Sequence, residues 1–220
     1  MTQADKERDH RLIRDAFQIY FEKERTWEQE LWLGVPMWKN PFDALILQEL
    51  IFKTRPDFLI ETGTGLGGSA LFFATIMEII DHGRVLTVDS ERKAGALYDC
   101  ILKPRHRISC FVGDSKDNLI LRQMGELCAG ARNMVILDSW HTKKHVLAEL
   151  DLYSPLVAKG CYLVVEDTHV NGHPTPWKWG EGPYEAVEEF LGKNKNFWRD
   201  KNCEKLKITN NPGGFLKRIE

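Results

Sequence analysis

Several things are missing from this sequence, and each absence closes off a class. No apolar run approaches the roughly 20 residues that a membrane helix needs. The five cysteines, Cys100, Cys110, Cys128, Cys161 and Cys203, form no C-x-x-C pair and no zinc-type repeat, so neither a zinc module nor a thioredoxin-like redox motif is expected. Cys100, Cys110 and Cys161 lie among apolar neighbours and read as small core hydrophobes. Neither sign of charge dominates: Lys and Arg number 30, Asp and Glu 32, and the net charge is −2, so no global field draws the chain to nucleic acid or anionic membrane. There is no internal repeat and no low-complexity linker. The first fifteen residues are mostly charged, unlike a secretory leader, and the expectation is a reduced, cytoplasmic protein.

What is present is an ordinary globular mix of 43% hydrophobic and 28% charged residues over 220 positions, enough for one sizeable core. Residues 1–40 read as an N-terminal helical arm and a Trp-rich loop, and residues 41–220 as the main domain. In the arm, Leu12, Ile13, Ala16, Phe17, Ile19 and Tyr20 recur at helical spacing. Trp27, Trp32 and Trp38 follow around W-L-G-V-P-M-W-K-N-P, read either as a lid or as aromatic packing that pins the arm.

From Phe42 onward the chain alternates. FDALILQELIFKTRP, GSALFFATIMEII, DNLILRQMGEL, KKHVLAELDLYSPLV and PYEAVEEFLGKN read as helices, with a further helix running through Leu102. DFLIETG, RVLTVDS, HRISCFVGDS, NMVILDSWH and GCYLVVEDT read as strands. LKITNNPGGFLKRIE reads as two closing strands joined by a turn at 210–214. The alternation predicts an α/β, Rossmann-like fold, with a mostly parallel sheet, an antiparallel C-terminal edge strand and helices on both faces. Ligands in such folds bind beyond the carboxyl ends of the strands. Acids stand at all of those ends: Glu61, Asp89, Asp114, Asp138, Glu166 and Asp167.

Glu61-Thr62-Gly63-Thr64-Gly65-Leu66-Gly67-Gly68-Ser69 joins a strand to a helix. It contains the G-x-G-x-x-G of nicotinamide enzymes, and Asp89 suits a ribose diol in either class. Glu61 tilts the reading, because a carboxylate beside the glycines opposes a pyrophosphate but favours the ammonium and sulfonium of S-adenosylmethionine. Gly113-Asp114-Ser115 is placed to meet an adenine ring.

The remaining acids, Asp138, Glu166 and Asp167, would repel one another with nothing positive between them. Oxygen donors of this kind suit a hard cation such as Mg²⁺, which would lower the pKa of a coordinated hydroxyl. His141, three residues after Asp138, is a candidate general base, against the plainer reading of a capping or surface histidine. A His141–His145 zinc pair and a His-His-carboxylate iron site are weaker alternatives, because oxygen ligands already crowd the place. His169 and His173 flank a Gly-Pro loop and read as lining a substrate mouth or as exposed. Trp177 and Trp179 read as a sugar-stacking pair or as a packed loop.

At these residues the sequence resembles the cephalosporin hydroxylase family, which includes rhamnosyl O-methyltransferases and is related to macrolide-sugar O-methyltransferases. The resemblance runs through W-x-G…K-N-P-x-D, PDFLIETGTGLGGSA, VLTVDS, GDS, ILDSWH, HVLAELDLYSPLVAKGCYLVVEDT, GPYEAV and NPGGFLKR. It implies a class I methyltransferase that uses S-adenosylmethionine and a divalent metal. By motif, Asp138, Glu166 and Asp167 would be metal ligands, with Asp138 and His141 catalytic and His141 the base. Glu61, Gly63, Thr64, Gly65, Ser69, Asp89, Ser90, Asp114, Ser115 and Asp138 would bind the cofactor. Catechol O-methyltransferases share this order of acid, base and paired acids, with lysine as the base. The expected reaction is O-methylation of a hydroxylated small molecule, a sugar or natural product offering vicinal oxygens. The resemblance also implies a homo-oligomer. Two other classes stay open at this point: a nicotinamide oxidoreductase or iron-dependent hydroxylase, and a non-catalytic subunit that binds S-adenosylmethionine for a partner enzyme.

Overall fold

The structure is a computed structural model that describes residues 2–93, 95, 103–175 and 178–220. The helix expected through Leu102, Cys100 within it, and Trp177 lie outside the described residues.

The arm is helical as its spacing predicts. Helix α1 (Gln3–Phe17) runs into a π-helical turn at Gln18–Lys23. Leu12 and Ile19 of its apolar stripe stay more than half or half exposed, at 61% and 50%. The Trp-rich segment forms a short hairpin, β1 (Leu31–Trp32) with β2 (Val35–Pro36). Helix α2 (Pro41–Thr54) starts with a side-chain cap, the Phe42 N–H donating to Asn40 Oδ1, and with Pro41 in its first turn.

The alternating part follows: β3 (Phe58–Thr62), α3 (Gly68–Ile79), β4 (Arg84–Asp89), β5 (Ile108–Val112), α4 (Asn118–Leu127), β6 (Asn133–Leu137), α5 (Lys143–Tyr153), β7 (Tyr162–Val165), α6 (Pro183–Lys193), β8 (Phe197–Arg199) and β9 (Phe215–Arg218). One seven-stranded sheet has the order β5-β4-β3-β6-β7-β9-β8. The first five are parallel; β9 runs antiparallel to both β7 and β8. The expected closing pair is therefore corrected. Residues 206–209 form no strand, and β9 pairs instead with the earlier Phe197–Arg199. Thr209, Asn210 and Asn211 are used to hold acids of the site, as described below, and that use removes them from a ladder.

Strand residues alternate between two cores, as the pleat requires. Leu59, Val85, Met134, Ile136, Tyr162 and Val164 pack toward α2 and α3. Ile60, Leu86, Val135, Leu137, Leu163 and Val165 pack toward α4, α5 and α6. At about 25 cal/mol per Å² of apolar surface removed from water, two such faces are the main source of stability. The strand order reverses between β3 and β6, and there the crevice for a ligand opens. The same alternation places Glu61, Asp138 and Glu166 on the α2–α3 side of the sheet.

Candidate active site

A cavity of about 1040 Å³ opens over the carboxyl ends of the parallel strands. Gly63, Thr64, Gly65, Ser69, Asp89, Ser90, Asp114, Ser115, Asp138, His141 and Asp167 all line it. The sequence also placed Glu61 and Glu166 there, and the structure moves both into the protein behind the wall.

The glycine turn shows why its residues are needed. Gly63 has φ +89°, and a Cβ there would lie 1.8 Å from the Asp138 carbonyl oxygen. The glycine therefore lets β6 come close to β3. Gly68 does the same for the N-terminal segment, because its Cβ would lie 2.2 Å from the Pro36 oxygen. Gly65 is different: no atom of the described residues lies within 4 Å of its Cβ position, and its N–H donates to Asp89 Oδ2 at 2.9 Å. Of these three glycines, only Gly65 offers its open side to a ligand.

Glu61 is fully buried. Ser69 Oγ donates to its Oε1 at 2.6 Å and Thr87 Oγ1 to its Oε2 at 2.7 Å. Burial raises its pKa, and Lys39, Ser69 and Thr87 work against that rise. Strand alternation turns the Glu61 side chain toward α3, where it braces the turn from beneath through Ser69 and Thr87. Asp114, by contrast, is largely exposed at the mouth and accepts from the Lys116 N–H at 2.9 Å. That backbone hydrogen bond lowers its pKa.

At the other end of the cavity stands a residue the sequence reading did not single out. Lys39 is 2% exposed. Its Nζ lies 2.9 Å from Asp138 Oδ2 and 3.1 Å from Glu166 Oε1. Burial disfavours its charge, but Asp138, Glu166 and Glu61 outweigh burial and hold its pKa above the usual lysine range. Burial and the Glu166 and Asp167 carboxylates push Asp138 up, and Lys39 pulls it back. Glu166 Oε2 accepts from Asn211 Nδ2 at 2.9 Å. Glu166 thus sits in the ion pair with Lys39 through Oε1 and on Asn211 through Oε2, just behind the cavity wall. Asn211 Oδ1 also accepts the Asp167 N–H at 2.9 Å. Asp43 accepts from Thr209 Oγ1 and the Asn210 N–H, and Asn40 Nδ2 donates to Asn210 Oδ1 at 3.0 Å. K-N-P-F-D and T-N-N thus clasp each other beneath the acids. The available signal was a lone basic residue between apolar and Pro positions in W-K-N-P.

His141 Nε2 lies 3.6 Å from Asp138 Oδ1 and 3.4 Å from Asp167 Oδ2. That nitrogen is buried and has no hydrogen-bond partner among the described residues. Among the described residues, Asp138, His141 and Asp167 form a group whose ligand atoms all lie within 4.8 Å of one another. Two carboxylates with an imidazole in reach fit a divalent cation held mainly by oxygen, and the orphaned Nε2 marks space where a further polar group would be satisfied. Trp38 and Asp167, next in sequence to Lys39 and Glu166, have left-handed backbone, with φ +53° and +55°. For tryptophan that conformation is an outlier.

The other histidines have other partners, although His145 also lines the cavity and His169 Nδ1 lies 3.5 Å from Asp167 Oδ1. His145 Nδ1 lies 3.1 Å from Lys116 Nζ, its Nε2 lies 2.9 Å from Ser139 Oγ, and Ser139 Oγ donates to the buried Glu149 at 2.8 Å. With the hydroxyl committed to Glu149, the ring donates from Nε2 and accepts at Nδ1. His145 thus pins the 138–141 loop to α5 and does not pair with His141. His169 is buried, with Nδ1 3.0 Å from the Asn210 carbonyl. His173 bonds Glu185 at 2.6 Å and stacks on Tyr184. Neither lines the cavity, and neither does Trp179, whose Nε1 donates to the His141 carbonyl at 3.4 Å. The three arm tryptophans divide. Trp32 packs edge-on against Phe72 and donates to Thr75, whereas Trp27 and Trp38, edge to face at 5.8 Å, line the cavity together with Trp140.

Comparison with known proteins places the chain in a family. A sequence model of the family described as Rhamnosyl O-methyltransferase/CmcI matches residues 24–219. Rhamnosyl O-methyltransferases of Mycobacterium tuberculosis are 36% identical over 215 residues, covering 94% of this chain and 85% of theirs. The Mycobacterium leprae protein of that name is 34% identical over 183 residues, covering 81% of this chain and 77% of its own. In fold, the chain is similar to a CmcI structure with Mg and SAM, at TM-score 0.65 and 18% identity over 88% of this chain and 78% of that one. It is also similar to TomG of Streptomyces achromogenes, an O-methyltransferase of tomaymycin synthesis in complex with SAM, at TM-score 0.58 and 20% identity over 86% and 80%. The chain belongs to the rhamnosyl O-methyltransferase/CmcI family, and it is an O-methyltransferase built on the class I fold.

Proposed function

We propose that this protein transfers a methyl group from S-adenosylmethionine to a hydroxyl of a sugar or sugar-bearing natural product, with a divalent cation at Asp138 and Asp167. The observation that carries the reading is one cavity with two unlike ends. The open face of Gly65 lies beside Asp89, Asp114 and Ser115, and His141 lies between two carboxylates opposite. Asp89 takes the ribose diol, Asp114 and Ser115 the adenine edge, and Trp140 flanks the base. Glu61 acts through the turn it braces.

When bound, S-adenosylmethionine would supply an electrophilic methyl on a good leaving sulfur, and a cation held by Asp138 and Asp167 would acidify the acceptor hydroxyl. Asp138 and Asp167 hold that hydroxyl's neighbourhood. His141 accepts its proton at Nε2, and the oxygen takes the methyl as the carbon–sulfur bond breaks. Positioning two bound reactants contributes several kcal/mol, on the order of 7–11 in favourable cases. Trp27 and Trp38 offer apolar faces to the acceptor. The mycobacterial relatives named rhamnosyl O-methyltransferases point to a deoxysugar acceptor with adjacent hydroxyls.

The test is methyl transfer from labelled S-adenosylmethionine to a panel of rhamnosides and other glycosides, with Mg²⁺ or with chelator. Transfer that needs Mg²⁺ and favours glycosides is expected. Transfer unaffected by exhaustive chelation would remove the cation from the reading. Calorimetric binding of NAD in preference to S-adenosylhomocysteine would remove the cofactor.

A further inference from the structure

Lys39 has no task in the reaction above, yet it is buried among the site's acids. Lysine is rarely buried without a partner, because desolvating its ammonium is costly. Here it has two partners, Asp138 Oδ2 at 2.9 Å and Glu166 Oε1 at 3.1 Å. Asp138 is shared: Oδ2 faces Lys39 and Oδ1 faces His141. A fixed positive charge and an arriving dication therefore act on one carboxylate. Lys39 also belongs to the segment whose Pro36, Met37 and Trp38 wall the cavity, so its ion pairs fasten that wall to the strand ends.

We infer that Lys39 is a resident counter-cation of the carboxylate cluster: it keeps Asp138 and Glu166 compensated when no metal is bound, and it weakens the cluster's affinity for a divalent cation. The inference rests on the reading of Asp138 and Asp167 as a cation site. Lys39 is a positioning residue that acts through the two carboxylates. It makes cation binding weaker and more exchangeable than three acids alone would give, and it keeps the cavity wall in place between loadings.

The sign of the effect is diagnostic. Lys39→Met keeps length and apolar volume and removes the charge. In purified full-length protein without acceptor, it should tighten Mn²⁺ binding by roughly tenfold or more, the scale expected for removing a full like charge a few Å away. The metal-free variant should melt at lower temperature than wild type, and saturating Mn²⁺ should recover more of that loss than it adds to wild type. A lysine that only packed would lower the melting temperature without tightening Mn²⁺. Equal or weaker Mn²⁺ binding by folded Lys39→Met overturns the inference and leaves the cation site standing. No Mn²⁺ binding by either protein removes the site itself. A variant that folds only with Mn²⁺ supports the inference. If Lys39→Met gives no folded protein under any condition, ¹⁵Nζ spectra of wild type decide. Saturating Mg²⁺ should shift the slowly exchanging ammonium of the buried lysine, and an unshifted signal overturns the inference.

Discussion

The two ends of the cavity are built in different ways. The end proposed for the cofactor uses consecutive pieces of chain: a strand, its glycine turn and a helix, then the tips of the neighbouring β4 and β5. The carboxylate end draws on four distant segments: Lys39, Asp138 to His141, Glu166 with Asp167, and Asn210 with Asn211. Local construction tolerates modest changes in the rest of the molecule. Long-range construction means that each residue there depends on ion pairs and hydrogen bonds made by the others, in surroundings where an uncompensated charge is costly.

The largest separation of the two ends should come from His141→Ala. We expect kcat to fall by about 10²–10⁴-fold, the usual range for a lost general base, with S-adenosylhomocysteine affinity within about twofold by calorimetry. A matching loss of cofactor affinity would merge the two ends into one. Next in size is Gly63→Ala, which should destabilise the fold by about 3–5 kcal/mol, combining left-handed strain with a backbone clash at Asp138, as read by urea unfolding. Asn211→Ala should cost about 1–3 kcal/mol, because Glu166 and the Asp167 N–H each lose a partner. Its kcat should fall while cofactor affinity holds.

Per pH unit, a smaller effect comes from Asp43. Burial and the Glu166 carboxylate push Asp43 up from 3.8 to about 8. The folded state then keeps a proton that the unfolded chain releases. Stability should decline as pH rises from about 4 to about 8, by at most about 1.4 kcal/mol per pH unit, and then level off. Asp43→Asn should flatten that slope, and an unchanged slope in urea titrations would assign it elsewhere. Smallest of all, Gly65→Ala should cost only about 1–2 kcal/mol of stability, the left-handed penalty alone. Its stability cost should thus be well below that of Gly63→Ala, while cofactor affinity drops.

The same contrast governs how much the sequence disclosed. Strand and helix periodicity, Pro56 after α2 and the G-x-G-x-x-G turn are local signals, and the five parallel strands they predict are the ones observed. The acids at strand ends were legible for the same reason. What the sequence left open was which way two of them face. Glu61 and Glu166 follow the strand alternation to the α2–α3 side, and only the three-dimensional register shows what waits there. Lys39 was hidden because its partners lie 99 positions away or more. The argument that three acids need a positive charge between them was sound, but the protein supplies one from its own arm. LKIT was read as a strand from its composition, yet Thr209 and the following asparagines serve the acids.

The most direct test of the two-ended cavity is a crystal of the full chain soaked with Mn²⁺ and S-adenosylhomocysteine, measured for anomalous scattering. The account predicts nucleoside density across Gly65 with its ribose at Asp89, and one manganese peak bridging Asp138 and Asp167 with Glu166 still on Lys39. Bound nucleoside with no manganese at Asp138 and Asp167, or nucleoside density away from the glycine turn, would contradict it.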